Sequence, residues 1–287
     1  MRARVVSSVK GHTLLESADI GDDALAEIGL IMELRRGFPL AAYKDTCMKR
    51  RIAIRIRSNR CADAAAYCQL LRQNDHELDM LQKTLTIHVS HFFRNPSMFE
   101  KLRTDVMPAV FREAETGDRP VRLWSLGCAS GEEPYSLAIV LMEGFADLLR
   151  RVPVIIDASD IDAEILQIAR QGCYSEDRLK DVPGDIRQRY FTPSGTKMQL
   201  ADNICTMVTF RQSDMLDVRS YSPCDLVLCR NTLIYFSRVE QEKILGGIAE
   251  ILPTGGILVL GKSETLVGDV RKRFEPVCST ERMYSKK

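Results

Sequence analysis

Two rhythms of apolar residues run along this chain. In residues 1–88 the rhythm is helical. Asp22–Arg36 carries Leu25, Ile28, Ile31 and Met32 at spacings of three and four, then meets Gly37, a helix stop. Ala41–Arg57 repeats the pattern with Met48, Ile52 and Ile56. Ala62–Arg72 and Glu77–Leu85 predict two shorter helices. Strand signals are absent here, so a small all-α domain is expected over 1–88.

Residues 89–96 lack any period and read as a linker. Pro96 and Ser97 then start a helix running to about Ala114. From Val121 onward, short apolar runs alternate with helical stretches. Val121–Leu126, Val154–Ser159, Asp225–Cys229 and Ile257–Gly261 predict strands, while Ala163–Arg170 and Val239–Ile251 predict helices. Such alternation predicts an α/β domain over 89–287, built on a doubly wound, largely parallel sheet. Arg189–Arg211 breaks the rhythm. Turns at Pro193-Ser194-Gly195 and Asp202-Asn203 predict a small antiparallel β insertion at about 186–212.

Charge adds one feature. The net charge is only +1, yet between Arg35 and Arg60 nine basic residues face the single acid Asp45. A cationic helix on an otherwise acidic chain predicts an anionic partner. No run approaches the ~20 apolar residues of a membrane span, and the N-terminus lacks a signal peptide's apolar stretch. A cytoplasmic monomer that does not insert into membranes is expected. The nine cysteines form no C-x-x-C pair, and with four histidines no metal site is expected.

The chemistry gathers at strand ends. Gly127-Cys128-Ala129-Ser130-Gly131 turns the first strand into a helix that opens with Glu132 and Glu133. Helix starts attract anions, but two acids there repel a phosphate. A cationic cofactor fits instead, and S-adenosylmethionine carries a sulfonium and an ammonium. Asp160, at the end of the second strand, suits ribose hydroxyls. Asp214 and Met215 suit an adenine. Arg230 and Asn231, with Tyr235 just beyond, end a later strand beside the point where the strand order reverses.

The stretches SLGCASGEEPYSLA, ASDIDAEIL and CRNTLIYF, preceded by TIHVSHFFRN, resemble the chemotaxis receptor methyltransferases, the CheR family. The resemblance covers nearly the whole chain. It implies a class I S-adenosylmethionine-dependent methyltransferase fold. The implied activity is methyl transfer to glutamate side chains of membrane chemoreceptors, yielding methyl esters and S-adenosylhomocysteine. It also implies roles for individual residues. Ser90 and Arg94 line the cofactor and active site. Gly127, Glu132 and Glu133 hold the cofactor's amino acid end, Asp160 its ribose, and Asp214 and Met215 its adenine. Arg230, Asn231 and Tyr235 complete the site near the methyl. His88 stands where the family typically has Asn, and Asp214 where some members have Asn.

A glutamate side chain, with a pKa of about 4.3, is ionised at neutral pH and needs no general base. The site must align carboxylate, methyl and sulfur, with Arg94 expected to orient the carboxylate and Tyr235 to bound the methyl channel. The basic helix 41–57 is the expected contact for the receptors' methylation region, and charge reversal at Arg51 and Arg55 is expected to raise the receptor KM. Recruitment to receptor arrays at the inner membrane follows. The β insertion is expected as a second receptor contact that does not depend on a C-terminal peptide tether. Two other functions fit parts of the pattern. A nucleic-acid methyltransferase would use the basic domain as its grip, but it predicts an Asn-Pro-Pro-Tyr type motif where Arg230-Asn231-Thr232-Leu233 stands, so no nucleic-acid partner is expected. A non-catalytic cofactor-binding regulator is the third reading.

Overall fold

A computed structural model describes residues 20–86 and 88–287. The chain divides between Thr86 and Ile87 into two compact units.

The first unit comprises α1 (Asp22–Arg36), α2 (Asp45–Ser58), α3 (Ala64–Gln73) and α4 (Asp75–Leu85). Gly37, at φ 62°, ends α1 as expected, its N–H returning to the Glu33 carbonyl. The side chains of Asp63 and Asn74 cap α3 and α4. The second helix starts later than Ala41, because Leu40–Ala42 form a separate 3-10 turn. Met48, Ile52 and Ile56 are buried with Ile28, Met32, Tyr67 and Leu71, so the apolar period did mark the core face.

The basic stretch is less free than its composition suggested. Arg55 bonds Glu77 through Nε at 2.9 Å and through Nη2, and the Tyr67 hydroxyl donates to the same carboxylate at 2.7 Å. Burial pushes the Glu77 carboxyl up, but these hydrogen bonds outweigh it and hold the group below its ordinary range. Arg51 donates to the Thr84 carbonyl, Lys49 pairs with Asp22, and Arg35 and Arg36 pair with Asp75 and Asp79. Arg51 and Arg55 therefore hold the unit together, and reversing them tests stability rather than docking. Lys44, Arg50, Arg57 and Arg60 are exposed.

The second unit begins with α5 (Pro96–Lys101), a π turn (Leu102–Val106) and α6 (Met107–Thr116). One continuous helix was expected. Pro108 has no N–H, and its ring crowds the carbonyl four residues back; the preceding turn widens, so that the Met107 N–H reaches the Leu102 carbonyl. The remaining elements, in order, are β1 (Val121–Leu126), α7 (Glu132–Gly144), α8 (Ala146–Leu149), β2 (Val154–Asp160), α9 (Ala163–Gln171), β3 (Cys173–Tyr174), α10 (Gly184–Tyr190), β4 (Phe191–Ser194), β5 (Lys197–Leu200), α11 (Asp202–Cys205), β6 (Val208–Gln212), β7 (Leu226–Cys229), α12 (Arg238–Ile251), β8 (Ile257–Leu260), β9 (Phe274–Cys278) and β10 (Met283–Lys286).

The main sheet runs β6-β2-β1-β7-β8-β10-β9. Its first five strands are parallel, with Val121 opposite Val154 and Leu123 opposite Leu226, while β10 is antiparallel to both β8 and β9. This is the doubly wound, largely parallel sheet expected from the alternation of strands and helices. The small antiparallel sheet exists, but with shifted bounds. It contains β3, β5 and β4, spanning 173–200. Val208–Gln212, expected inside the insertion, is instead the edge strand of the main sheet beside β2. Asp202-Asn203 opens a short helix rather than a hairpin turn.

Candidate functional site

The carboxyl ends of β1, β2 and β7 lie side by side, and the chain leaves β1 toward β2 on one side and is joined by β7 on the other. Ligands of open α/β sheets bind in the crevice at such a reversal. The turn after β1 is tightly built. The N–H groups of Gly127 and Cys128 both donate to the Ser159 carbonyl, at 2.8 and 2.9 Å. Gly127 has φ 78°, and a Cβ there would lie 2.8 Å from Thr232 Oγ1. Only glycine meets both demands. Cys128 is buried and its thiol is pushed well up by desolvation, so it serves as packing.

Asp160 closes the turn from β2. Its Oδ2 accepts the Ala129 N–H at 2.9 Å and its Oδ1 accepts the Asp162 N–H at 3.1 Å. His88 Nε2 lies 3.5 Å from Asp160 Oδ1. Each carboxylate oxygen retains a second lone pair, so Asp160 can still accept a hydroxyl.

The two glutamates that open α7 face different ways. Glu133 lines a cleft together with Ser90, Arg94, Gly127, Arg230 and Asn231. Its Oε1 accepts from Ser125 Oγ at 2.8 Å and its Oε2 from Arg230 Nη1 at 2.9 Å. Glu132 is fully buried and points inward. Its Oε1 accepts from Ser130 Oγ at 2.7 Å and from Arg178 Nη1 at 3.1 Å, while its Oε2 has no hydrogen-bond partner. Burial raises the Glu132 carboxyl above its ordinary value, against the hydrogen bond from Ser130 and the pull of Arg178. Of the two acids, both expected at the cofactor, only Glu133 faces the cleft, because successive helical residues project about 100° apart.

Arg230 was expected beside the reacting methyl. It lines the cleft, and its guanidinium bonds Glu133, the Arg94 carbonyl at 2.8 Å and Asn95 Oδ1 at 2.8 Å. It braces the linker. Arg94 itself is half-buried at the cleft, with Nη1 donating to the Val89 carbonyl at 2.9 Å. Met215 is buried, with its methyl 3.3 Å from the space a Gly127 side chain would fill. The Asp214 carboxylate accepts the Leu216 N–H at 2.8 Å and shapes that loop. Tyr235 ends the 3-10 turn Leu233–Tyr235 and is half-buried.

Two residues escaped the sequence reading. Glu264 follows β8 and accepts N–H groups from Asn231 and Thr232 at 2.8 Å, Gly261 at 2.6 Å and Ile234 at 3.3 Å. Arg178 lies 46 residues from its partner Glu132. An acid soon after a strand end is the only local signal for the first, and nothing local marks the second.

Two family models match the chain. The CheR methyltransferase, all-alpha domain matches residues 23–86, and the CheR methyltransferase, SAM binding domain matches 88–283. The chain is 32% identical over 262 residues to the probable chemotaxis protein methyltransferase of Rhizobium etli, covering 88% of this chain and 96% of that one. It is 30% identical over 270 residues to the chemotaxis protein methyltransferase of Escherichia coli (strain K12), covering 91% and 90% respectively. An uncharacterized 104.1 kDa protein of Rhodobacter capsulatus is 32% identical over 262 residues, covering 91% of this chain but 27% of that far longer protein.

Proposed function

The chain belongs to the CheR methyltransferase family, and on that premise we propose that it methylates glutamate side chains of membrane chemoreceptors for sensory adaptation. The observation that carries this reading is Glu133. Ser125 and Arg230 hold its carboxylate at a cleft whose glycine turn leaves no room for a side chain at position 127. An acid so placed suits a cationic amino acid end and repels a dinucleotide's phosphates.

S-adenosylmethionine, when bound, supplies an activated methyl group on a sulfonium. Glu133 then holds its ammonium end, Asp160 with His88 its ribose, and Met215 with Asp214 its adenine. Asn231 and Tyr235 bound the acceptor side. Arg94 orients the incoming carboxylate. That carboxylate is ionised at neutral pH, so the site needs no base and works by alignment, which supplies roughly 7–11 kcal/mol. Arg230 fixes the linker that carries Arg94 and Ser90.

The receptor contact falls to the exposed face of α2. Arg50, Ile54 and Arg57 share one helical stripe, with Ile54 43% exposed between two cations. Acidic receptor helices suit that stripe. The small sheet offers a second contact, independent of a receptor C-terminal peptide. The protein works as a cytoplasmic monomer recruited to receptor arrays at the inner membrane.

Incubation with S-adenosylmethionine labelled in the methyl group and with receptor-bearing membranes tests the reading. Label should enter protein and leave as methanol in alkali. Label in nucleic acid would favour the base-modifying reading, and cofactor binding without transfer would favour the regulator. Titration with a receptor C-terminal peptide should show no tight binding.

A further inference from the structure

We propose that Arg178 is a positioning residue for the cofactor, acting through the linker; the proposal rests on reading the cleft as the S-adenosylmethionine site. The linker is strained. Phe93 at φ 53° and Asn95 at φ 65° both lie in the left-handed region, and neither is glycine. For Phe93 this costs on the order of 1–2 kcal/mol, while Asn95 adopts it more readily, so the segment keeps this path only if its surroundings hold it. The Ser136 hydroxyl accepts the Phe93 N–H at 2.8 Å, and Arg230 grips the Arg94 carbonyl and Asn95. These anchor the second half of the linker.

The first half, which presents Ser90 to the cleft, is held by Arg178. The Arg178 carbonyl accepts the Phe92 N–H at 2.9 Å, and its Nη1 donates to the Ser90 carbonyl. The same Nη1 lies 3.1 Å from Glu132 Oε1. One guanidinium thus joins the linker to the residue beside Glu133. Phe92 adds an edge-on contact to Tyr174, with ring centres 4.8 Å apart, from the strand just before the Arg178 turn.

The geometry separates this role from that of a counter-ion. A guanidinium that neutralises a buried carboxylate commonly takes both oxygens in a fork. Here Glu132 Oε2 is left without a partner, and the nitrogen that meets Oε1 is shared with the Ser90 carbonyl. The guanidinium is placed to hold the linker as well as to meet the carboxylate.

Calorimetric titration with S-adenosylhomocysteine decides the matter, using wild type, Glu132→Gln, Arg178→Met and the double variant. Arg178→Met should raise the Kd about tenfold or more, the worth of a charged hydrogen bond. In transfer assays the KM for S-adenosylmethionine should rise while kcat at saturation is kept. Glu132→Gln alone should retain affinity. The double variant relieves the orphaned carboxylate, so its melting temperature should recover while its affinity does not. Affinity that returned with stability would make Arg178 a counter-ion and overturn the proposal. A wild-type protein that failed to bind S-adenosylhomocysteine would instead overturn the reading of the cleft, and the proposal with it.

Discussion

Arg230 and Glu133 form an ion pair at 2.9 Å, with side chains 2% and 13% exposed. The pair joins the end of β7 to the start of α7, and the second arm of the guanidinium reaches the linker. A single ammonium cannot span those partners. Arg230→Lys should therefore keep the fold and charge but lose the grip on Arg94 and Asn95. A fall in kcat/KM of roughly 10–100-fold is expected from two hydrogen bonds lost. Transfer kinetics with varied S-adenosylmethionine, alongside circular dichroism, check this; near-normal turnover would refute it.

Glu264 holds the other wall. Four backbone N–H groups converge on its carboxylate, and one belongs to Asn231, itself at φ 60°. Glu264→Gln turns an amide NH2 toward donors, so at least one N–H loses its acceptor. A loss of about 1–3 kcal/mol is expected. Urea unfolding should show it, and the Asn231 and Thr232 amides should exchange faster with solvent. Unchanged exchange there would mean the loop holds its own shape.

The inward glutamate predicts a pH dependence. Burial raises the folded pKa of Glu132 above its ordinary 4.5. The folded state then binds the proton more tightly than the unfolded one. Its contribution to stability is full below 4.5 and is lost as pH rises through the folded value. Glu132→Gln removes that titration. The melting temperature of wild type minus that of the variant should decrease as pH climbs from 4.5 toward neutrality. A difference that grew with pH would contradict the assignment.

On α2 two kinds of arginine separate. Arg55→Ala would leave Glu77, 3% exposed, without its main partner, and should cost about 3–5 kcal/mol. Arg50→Glu and Arg57→Glu lie on the exposed face and should change stability by roughly 0.5 kcal/mol or less. They should raise the receptor KM in a salt-dependent way while sparing S-adenosylhomocysteine affinity. An unaltered KM would make this stripe a solvated surface.

The pattern of apolar residues was enough to find β1, β2, β7 and β8, because buried parallel strands are apolar on both faces. It missed β9 and β10. Glu275 and Pro276 sit within β9 and lysine ends β10, so neither reads as an apolar run. The residues of β6 read as a strand, but not as part of the main sheet, since pairing partners far apart in sequence leave no local trace. The site followed the same division. Gly127, Glu133, Asp160 and Asn231 stand at predicted strand ends and were legible. Which of two adjacent glutamates faces the cleft depends on how α7 docks. Arg178 and Glu264 act across 46 and about 33 residues and become visible only when the chain is folded.

The antiparallel strand β10 lies between β8 and β9, though it comes later in the chain than both. Order of synthesis and order in space disagree here. As the chain emerges, β8 has an open edge and β9 has no neighbour to bond. The sheet cannot therefore be laid down strand by strand. Phe274–Cys278 joins the sheet only through Met283–Lys286. That one strand ties β8 and β9 into the same sheet.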